Sequence, residues 1–518
     1  MRKTGQEVTD KDRPTATLAT GLWRKFGILG LLGLLVAATA MASPPQSAPV
    51  FTSLVNFNGT NGAYPIGGMV QGANGNLYGA TSFGGTMGAG NLFRLTQDGT
   101  LTSFYNFCSE ANCTDGVVPP GGLVMGTDGN FYGTTATGGG TLGSGTVFKI
   151  TPGGTLTTIY NWCSQPNCTD GTYFSLSGNT LIQAADGNFY GTNNGGGTGT
   201  AGCFFGDGGC GTVFKLTPSG TLTTLYNWCS QPNCADGQFP GNLIQGTDGN
   251  FYGTTTYGGA NSGGTIFKIT PGGALTTLYQ FCSQPNCADG GNPGAGLVQA
   301  SDGNFYGTTG GGGASYGGTV FKLTPNGTLT TLYSFCSQAN CADGGDPAGP
   351  VLGSDGIFYG TTAFGGPTGG GTFFQVTPNG VLTTLYSFCT QVKCTDGSGP
   401  GTGPSTLAQG TNGIFYGVTD GYPAPANPNG TIFSLDVGLG PFVETVPGSG
   451  KAGDTVTILG TGLTNATHIS FNHKQGAFTV VSDSEIQAAV PSAATTGFVT
   501  VNMHGSQLQS NVPFQVVP

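Results

Sequence analysis

Asp128-Gly-Asn-Phe-Tyr-Gly-Thr-Thr135, DGNFYGTT, is the stretch on which the rest of the chain turns. It returns as DGNFYGTN at 186, DGNFYGTT at 248 and 302, and DGIFYGTT at 355. Looser copies, NGNLYGAT at 74 and NGIFYGVT at 412, open and close the series, making seven copies spaced by 53 to 62 residues. After each copy come a Gly-rich stretch, a run such as GTVFKLTP, a Gly turn and a second run such as TLTTLYNW. A short apolar run such as NLIQGT then leads into the next copy. Each unit therefore holds four short strands: A (NLIQ-type), B (NFYGTT), C (GTVFKLT) and D (LTTLYNW). Asp-Gly and Asn-Gly dipeptides suit the tight A–B hairpins, and Pro-x-Gly marks the C–D turn. A four-stranded unit of this length, repeated seven times, predicts a seven-bladed β-propeller.

The last copy ends at GTIFSLDV without a D strand, while VFTSLVNF at 50–57 precedes the first copy. The N-terminal strand is thus expected to complete the seventh blade and close the ring, leaving no free sheet edge. Antiparallel strands put the short A–B and C–D turns on one face. The Gly-rich B–C loops and the D–A loops fall on the other, which is the expected working surface.

The D–A loops carry a cysteine phrase, CSQPNCADG at 282, with four residues between the cysteines. The pairs are Cys108/Cys113, Cys163/Cys168, Cys229/Cys234, Cys282/Cys287, Cys336/Cys341 and Cys389/Cys394, with Cys203/Cys210 as an extra pair. A metal site, a redox pair and a staple compete for them. The only histidines, His468, His473 and His504, lie downstream of the repeats. Zinc sites and thioredoxin-like motifs favour a two-residue gap. The spacing favours local disulfides, each worth roughly 2 kcal/mol by chain entropy. The first such loop, NGTNGAYP, lacks the pair and is expected to be the softest.

Arg24 and Lys25 precede FGILGLLGLLVAATA and then AMA, which reads as a secretory signal peptide over residues 1–42, followed by a linker at 43–49. No second apolar span follows, so no membrane span is expected in the mature chain. Charged residues are only 7% of the chain. Outside the leader, 8 basic residues face 21 acidic ones, a net charge near −13 that argues against nucleic acid as a partner. Localisation is expected to be secreted, periplasmic or at the cell surface.

Residues 50–436 resemble the bacterial GloVer tandem repeat, through D-G-N-F-Y-G-T-T, G-T-V-F-K-L-T-P and L-T-T-L-Y. They are more loosely similar to two-component-regulator and streptogramin lyase-like propellers. The GloVer resemblance implies an exported protein and no particular activity. Residues 437–518 resemble the IPT/TIG family through V-P-G-S-G-K-A-G-D-T-V-T-I-L-G-T-G-L, A-V-P and G-F-V-T-V-N-M, which implies an immunoglobulin-like sandwich.

Lyase-type acid–base work calls on His or Glu, and the repeats hold no His and only Glu110. Asp115, Asp170, Asp236, Asp289, Asp343 and Asp396 follow the second cysteines. Turn capping is the expected role, with calcium binding as the rival; no other cofactor is expected. Asp128, Asp186, Asp248, Asp302 and Asp355 read as hairpin residues, and Lys149, Lys215, Lys268 and Lys322 as outward strand positions. Phe83, Tyr257, Tyr316, Phe364 and Tyr422 sit in B–C loops, and Phe204 and Phe205 ride on the Cys203/Cys210 excursion. Aromatics on stiff loops offer contact area at small entropic cost. The expected function is non-catalytic binding of a glycan or extracellular protein. The alternatives are an enzyme acting on extracellular polysaccharide and a spacer without ligand.

Overall fold

The computed structural model describes residues 48–172, 181–199, 203, 209–400, 407–421 and 427–517. The proposed leader at 1–42, most of the linker, Phe204, Phe205 and Tyr422 lie outside them. The described chain is all-β apart from single 3-10 turns. Among the described residues no helix is long and apolar enough to cross a membrane.

The described residues of the repeats form seven antiparallel sheets of four or five strands. In the second sheet, Val124–Met125, Phe131–Thr134, Thr146–Ile150 and Leu156–Asn161 follow in order as strands A to D. The last sheet draws on both ends of the repeat region. Its order is Val50–Asn56, Thr431–Asp436, Phe415–Thr419, Leu407–Gln409, with Val50 opposite Asp436 and Asn56 opposite Thr431.

Packing accounts for the Phe, Tyr and Gly of the repeated phrase. Phe131 packs on Tyr78 of the preceding sheet, ring centroids 4.2 Å apart, and Tyr132 packs on Phe189 of the following one at 4.1 Å. Tyr190–Phe251, Tyr252–Phe305, Tyr306–Phe358 and Tyr359–Phe415 repeat the contact at 4.1 to 4.3 Å. Between the seventh and first sheets, Tyr416 shares a buried cluster with Leu77, which stands where the other copies have Phe. Gly133 is required by close approach: a Cβ there would lie 2.6 Å from the Phe148 ring tip on strand C. Gly79, Gly191, Gly253, Gly307, Gly360 and Gly417 face Phe rings of their own sheets in the same way. The glycine thus lets an aromatic ring fill the space over the neighbouring strand.

A polar latch accompanies the stack. The Gln ending strand A accepts a hydrogen bond from a backbone N–H in the A–B turn of the preceding sheet: Gln183 from Thr127, Gln245 from Ala185, Gln299 from Thr247, Gln409 from Ser354. Gln71 of the first sheet accepts from Thr411 of the seventh at 2.8 Å and donates to its hydroxyl at 2.9 Å.

The D–A segments, read from the sequence as plain loops round their cystines, need one correction. The second cysteine of each phrase ends a short 3-10 turn: Ala111–Cys113, Pro166–Cys168, Pro232–Cys234, Pro285–Cys287, Ala339–Cys341 and Val392–Cys394. The amides of Cys113, Cys168, Cys234, Cys287, Cys341 and Cys394 each donate to the carbonyl three residues back, at 2.9 to 3.1 Å. The physical reason is compactness. A chain that must return to its own cystine partner within six residues winds tightly, and i to i+3 bonds are the tightest helical closure.

The C-terminal module packs two four-stranded sheets and a two-stranded parallel pair over Val456, Ile458, Ile469, Phe471, Ile486 and Val501. It docks on the A–B side of the repeats. Leu459 joins the buried cluster of Tyr78, Met125 and Phe131, and Ser484 Oγ donates to the Ala73 carbonyl at 2.6 Å. Thr461 meets Thr411 at 3.2 Å, and Asn511 reaches the Leu352 carbonyl at 3.4 Å.

Gly133→Ala forces its methyl into the Phe148 ring and should cost about 1–3 kcal/mol in denaturant unfolding, the usual penalty of overpacking. Gly440→Ala, where a Cβ meets nothing within 4 Å, should change stability little. Equal effects would contradict the close-approach account.

Candidate functional site

All fourteen cysteines are paired, in the seven local disulfides that the spacing favours: Cys108–Cys113, Cys163–Cys168, Cys203–Cys210, Cys229–Cys234, Cys282–Cys287, Cys336–Cys341 and Cys389–Cys394. The sulfur atoms of Cys203, Cys210 and Cys229 lie within 4.8 Å of one another, but they belong to two of these disulfides.

Each six-residue loop is built round a buried carboxylate. Asp289 Oδ2 accepts from Tyr279 Oη at 2.8 Å, Ser283 N at 2.9 Å and Ser283 Oγ at 2.8 Å, and its Oδ1 from Gln284 N at 3.2 Å. Burial raises the Asp289 carboxyl, but the bonds from Ser283 and Tyr279 outweigh it and hold it below the usual range. Asp115, Asp170, Asp236, Asp343 and Asp396 are likewise buried and accept the corresponding tyrosine hydroxyls, from Tyr105, Tyr160, Tyr226, Tyr333 and Tyr386. Burial first, with the carboxylate adding to it, pushes the Tyr160, Tyr226 and Tyr386 hydroxyls up to about 12. The six aspartates that could have offered a cation a ligand thus have donors from their own loops on both oxygens.

The loop backbone is left-handed at three points, for example Cys282, Asn286 and Cys287, each with φ near +55°. The second cysteines share this conformation throughout, with φ of 53° at Cys113 and Cys168, 51° at Cys234 and Cys341, and 56° at Cys394. The spacing of the cysteines announced a staple but gave no sign of this backbone, which sets the cystine at the end of the 3-10 turn. At the middle point, Asn tolerates the left-handed region better than other side chains. Only the sixth loop breaks the pattern, with Lys393 at φ 60°. The first loop has no disulfide and is tied instead by Asn58, whose Oδ1 accepts from Thr60 N, Thr60 Oγ1 and Asn61 N. A hydrogen-bonded knot stands there in place of the staple.

Two of the aromatics read from the sequence as B–C loop residues, Tyr257 and Phe364, are instead the last residues of strand B, which runs longer there because a short D–A strand pairs with its end, Gln238 opposite Tyr257 and Gly345 opposite Phe364. Phe83 meets Tyr64 edge-on at 5.7 Å, and Tyr257 meets Phe239 at 5.9 Å. The Phe364 ring lies over Gly345. These three lean on the D–A loops, although Phe83 and Phe364 remain exposed. Tyr316 stands clear of that arrangement, 67% exposed at φ 60° on a loop tip. The equivalent positions in the first, second and sixth units are Gly88, Gly143 and Gly369, all at positive φ. A bulky residue in that conformation is strained; in the fourth unit the smaller Ser262 takes it, at φ 58°.

Sequence reasoning overlooked Tyr64 and Phe239. Both precede a proline at positive φ, as do Val118, Asn292, Asp346 and Gly399 at the same place in their units. The Tyr64 amide donates to Asn429 and the Asn292 amide to Gly263, each in the B–C loop of the neighbouring sheet. The recurring A-Y-P, Q-F-P, G-N-P and G-D-P triplets were the available signal.

The opposite edge carries ion pairs. Lys149, Lys215, Lys268 and Lys322 reach Asp128, Asp186, Asp248 and Asp302 at 2.7 to 3.1 Å. Burial raises these carboxyls. The lysines, the turn asparagines and the tyrosine hydroxyls outweigh it, holding Asp128, Asp248 and Asp302 at about 2.

Two segments, 42–206 and 204–433, match the model of the Gloeobacter/Verrucomicrobia repeat. The chain belongs to that repeat family. Residues 442–516 of this repeat protein match the IPT/TIG domain. No curated protein matches it in sequence. Among solved structures it is similar to the extracellular domain of a putative hybrid two-component system from B. thetaiotaomicron. That match has 13% identity and TM-score 0.46, covering 91% of this chain and 58% of that one. A fungal alcohol oxidase with copper matches at 13% identity and TM-score 0.47, covering 90% of this chain and 98% of that one. A surface component of the type-IX secretion system of Porphyromonas gingivalis matches at 14% identity and TM-score 0.43, covering 90% of this chain and 60% of that one.

Two outcomes test the loops and turns. Lys393→Asn should stabilise the oxidised protein by about 0.5–1 kcal/mol in thermal unfolding, because Asn accepts the left-handed backbone; no gain would contradict the account. The turn aspartates have folded pKa values below the unfolded one, so their contribution is present above about pH 4 and is lost as pH falls towards 2. Replacing Asp128, Asp186, Asp248 and Asp302 by Asn together should flatten the fall in melting temperature across that window.

Proposed function

We propose that this is an exported, non-catalytic surface or envelope protein whose loop face binds glycan chains. Seven sheets form the blades of a closed propeller in this reading. Three contacts between the ends of the repeat region support closure. Val50–Asn56 pairs with Thr431–Asp436, Gln71 latches to Thr411, and Tyr416 packs with Leu77. Seven disulfides fit an oxidising compartment outside the cytoplasm.

The observation that carries the binding reading is the placement of Tyr316. It holds an exposed ring in a conformation that three sister loops leave to glycine. Exposed Tyr64, Phe83 and Phe364 share the loop face with it, while the C-terminal module occupies the A–B side. Rings held on braced loops, among many hydroxyl and amide groups, suit stacking against sugar faces and bonding to hydroxyls. The repeats hold no His and only Glu110, which gives an acid–base mechanism little to work with.

A binding screen of the oxidised protein against cell-wall, microbial and plant polysaccharides, with and without calcium, tests the reading. Saturable binding without cleavage is expected, and Tyr316→Gly together with Phe364→Ala should weaken it at least roughly tenfold. Tyr316→Gly alone should raise stability by about 1 kcal/mol, because the strain is relieved. Shortened products would favour the enzyme, a calcium requirement would revive the aspartate ring, and silence across the panel would leave a protein partner or a spacer.

A further inference from the structure

A cavity of about 710 Å³ lies between the C-terminal module and the strand A ends of the third, fourth and fifth sheets. Gln245, Gln299 and Ser301 line it from the repeats, and Glu444, Thr496 and Gln515 from the module. A second cavity of about 370 Å³, lined by Leu243 and Leu407, adjoins it, and Leu297, Glu444 and Val512 line both.

Glu444 opens the first strand of the module, Glu444–Val446. Its neighbour Val443 is buried in the module core, and strand alternation turns Glu444 the other way, towards the repeats. The segment is fixed on both sides: Phe442 N donates to the Thr411 carbonyl and Val443 N to the Gln509 carbonyl. The surface that half-buried Glu444 retains opens into the two cavities. None of the ion pairs among the described residues involves it, and neither cavity is lined by Lys, Arg or His. Burial accordingly pushes its carboxyl above the usual range. Thr445 Oγ1 and Gln515 Oε1, in the same wall, are buried without a hydrogen-bond partner. Carboxylates are not normally buried without a counter-charge.

We infer that this chamber is a binding site for a small, hydroxylated, ammonium-bearing ligand of the size of an amino sugar. The ammonium supplies the charge that Glu444 lacks. Gln245 and Gln299 each use one lone pair in the latch between sheets and one N–H on a carbonyl of their own A–B turn, Gly249 and Gly303, leaving a second of each for ligand hydroxyls. The volume lies within the usual range for small-molecule sites, well above what a bare ammonium ion fills. A neutral sugar leaves the carboxylate uncompensated, and an anion meets it with like charge. The site is on the side away from the loop aromatics, so it stands or falls separately from glycan binding there.

Calorimetric titration of the full oxidised chain with glucosamine, glucose and glucuronate tests the inference. Glucosamine should saturate one site, glucose should bind at least about tenfold more weakly, and glucuronate should not bind. Glu444→Gln should lower glucosamine affinity by about tenfold or more at unchanged or higher melting temperature. Tyr316→Gly should leave glucosamine binding as it is. Equal binding of glucosamine and glucose, absence of both, or full glucosamine affinity in Glu444→Gln would overturn the assignment. The sugar comparison on the wild-type chain decides the matter even if the variant does not fold.

Discussion

The tyrosine of each second strand, lying on the phenylalanine of the next sheet, is the contact on which the rest of this molecule depends. Each repeat alone is a four-stranded sheet with two apolar faces, too small to bury them. The Tyr–Phe stack, six times aromatic and once Tyr416 on Leu77, joins each sheet to the next. It works only because glycine follows the tyrosine, so that the third-strand phenylalanine can lie over the backbone. The sequence is therefore most repetitive where packing leaves least freedom.

The two faces of the repeat region have separate tasks. On the A–B side, hairpin aspartates bond to tyrosine and lysine, glutamines tie sheet to sheet, and the C-terminal module docks. On the loop side, disulfides and buried aspartates hold short loops in left-handed turns that would otherwise be costly. The carboxylates there are structural hubs, and Tyr64, Phe83, Tyr316 and Phe364 are exposed on the same side.

Strand order, the offset N-terminal strand and the cystine pairs could all be read from the sequence, because each follows from a spacing that recurs. The 3-10 turns ending at Cys113, Cys168, Cys234, Cys287, Cys341 and Cys394 could not, since three residues carry no periodicity to read. The loop aromatics could be listed but not sorted, since whether Phe83 leans on Tyr64 or points outward depends on backbone angles in two loops distant in sequence. Tyr64 and Phe239 carried no signal of their place because the residue before proline is ordinarily extended, whereas here φ is +56° and +55°. Glu444 carried no signal at all. Within the module it occupies an ordinary strand position, and only docking against the repeats encloses it.

Hydrogen exchange of the oxidised protein tests the proposed closure of the ring through the N-terminal strand. Amides of Val50–Asn56 should be protected to the same degree as those of Thr431–Asp436, since the two strands pair in one sheet and, in the closed propeller proposed above, open together. Fast exchange over 50–56 beside slow exchange over 431–436 would mean that the seventh sheet ends at its third strand and that the repeats form an open array.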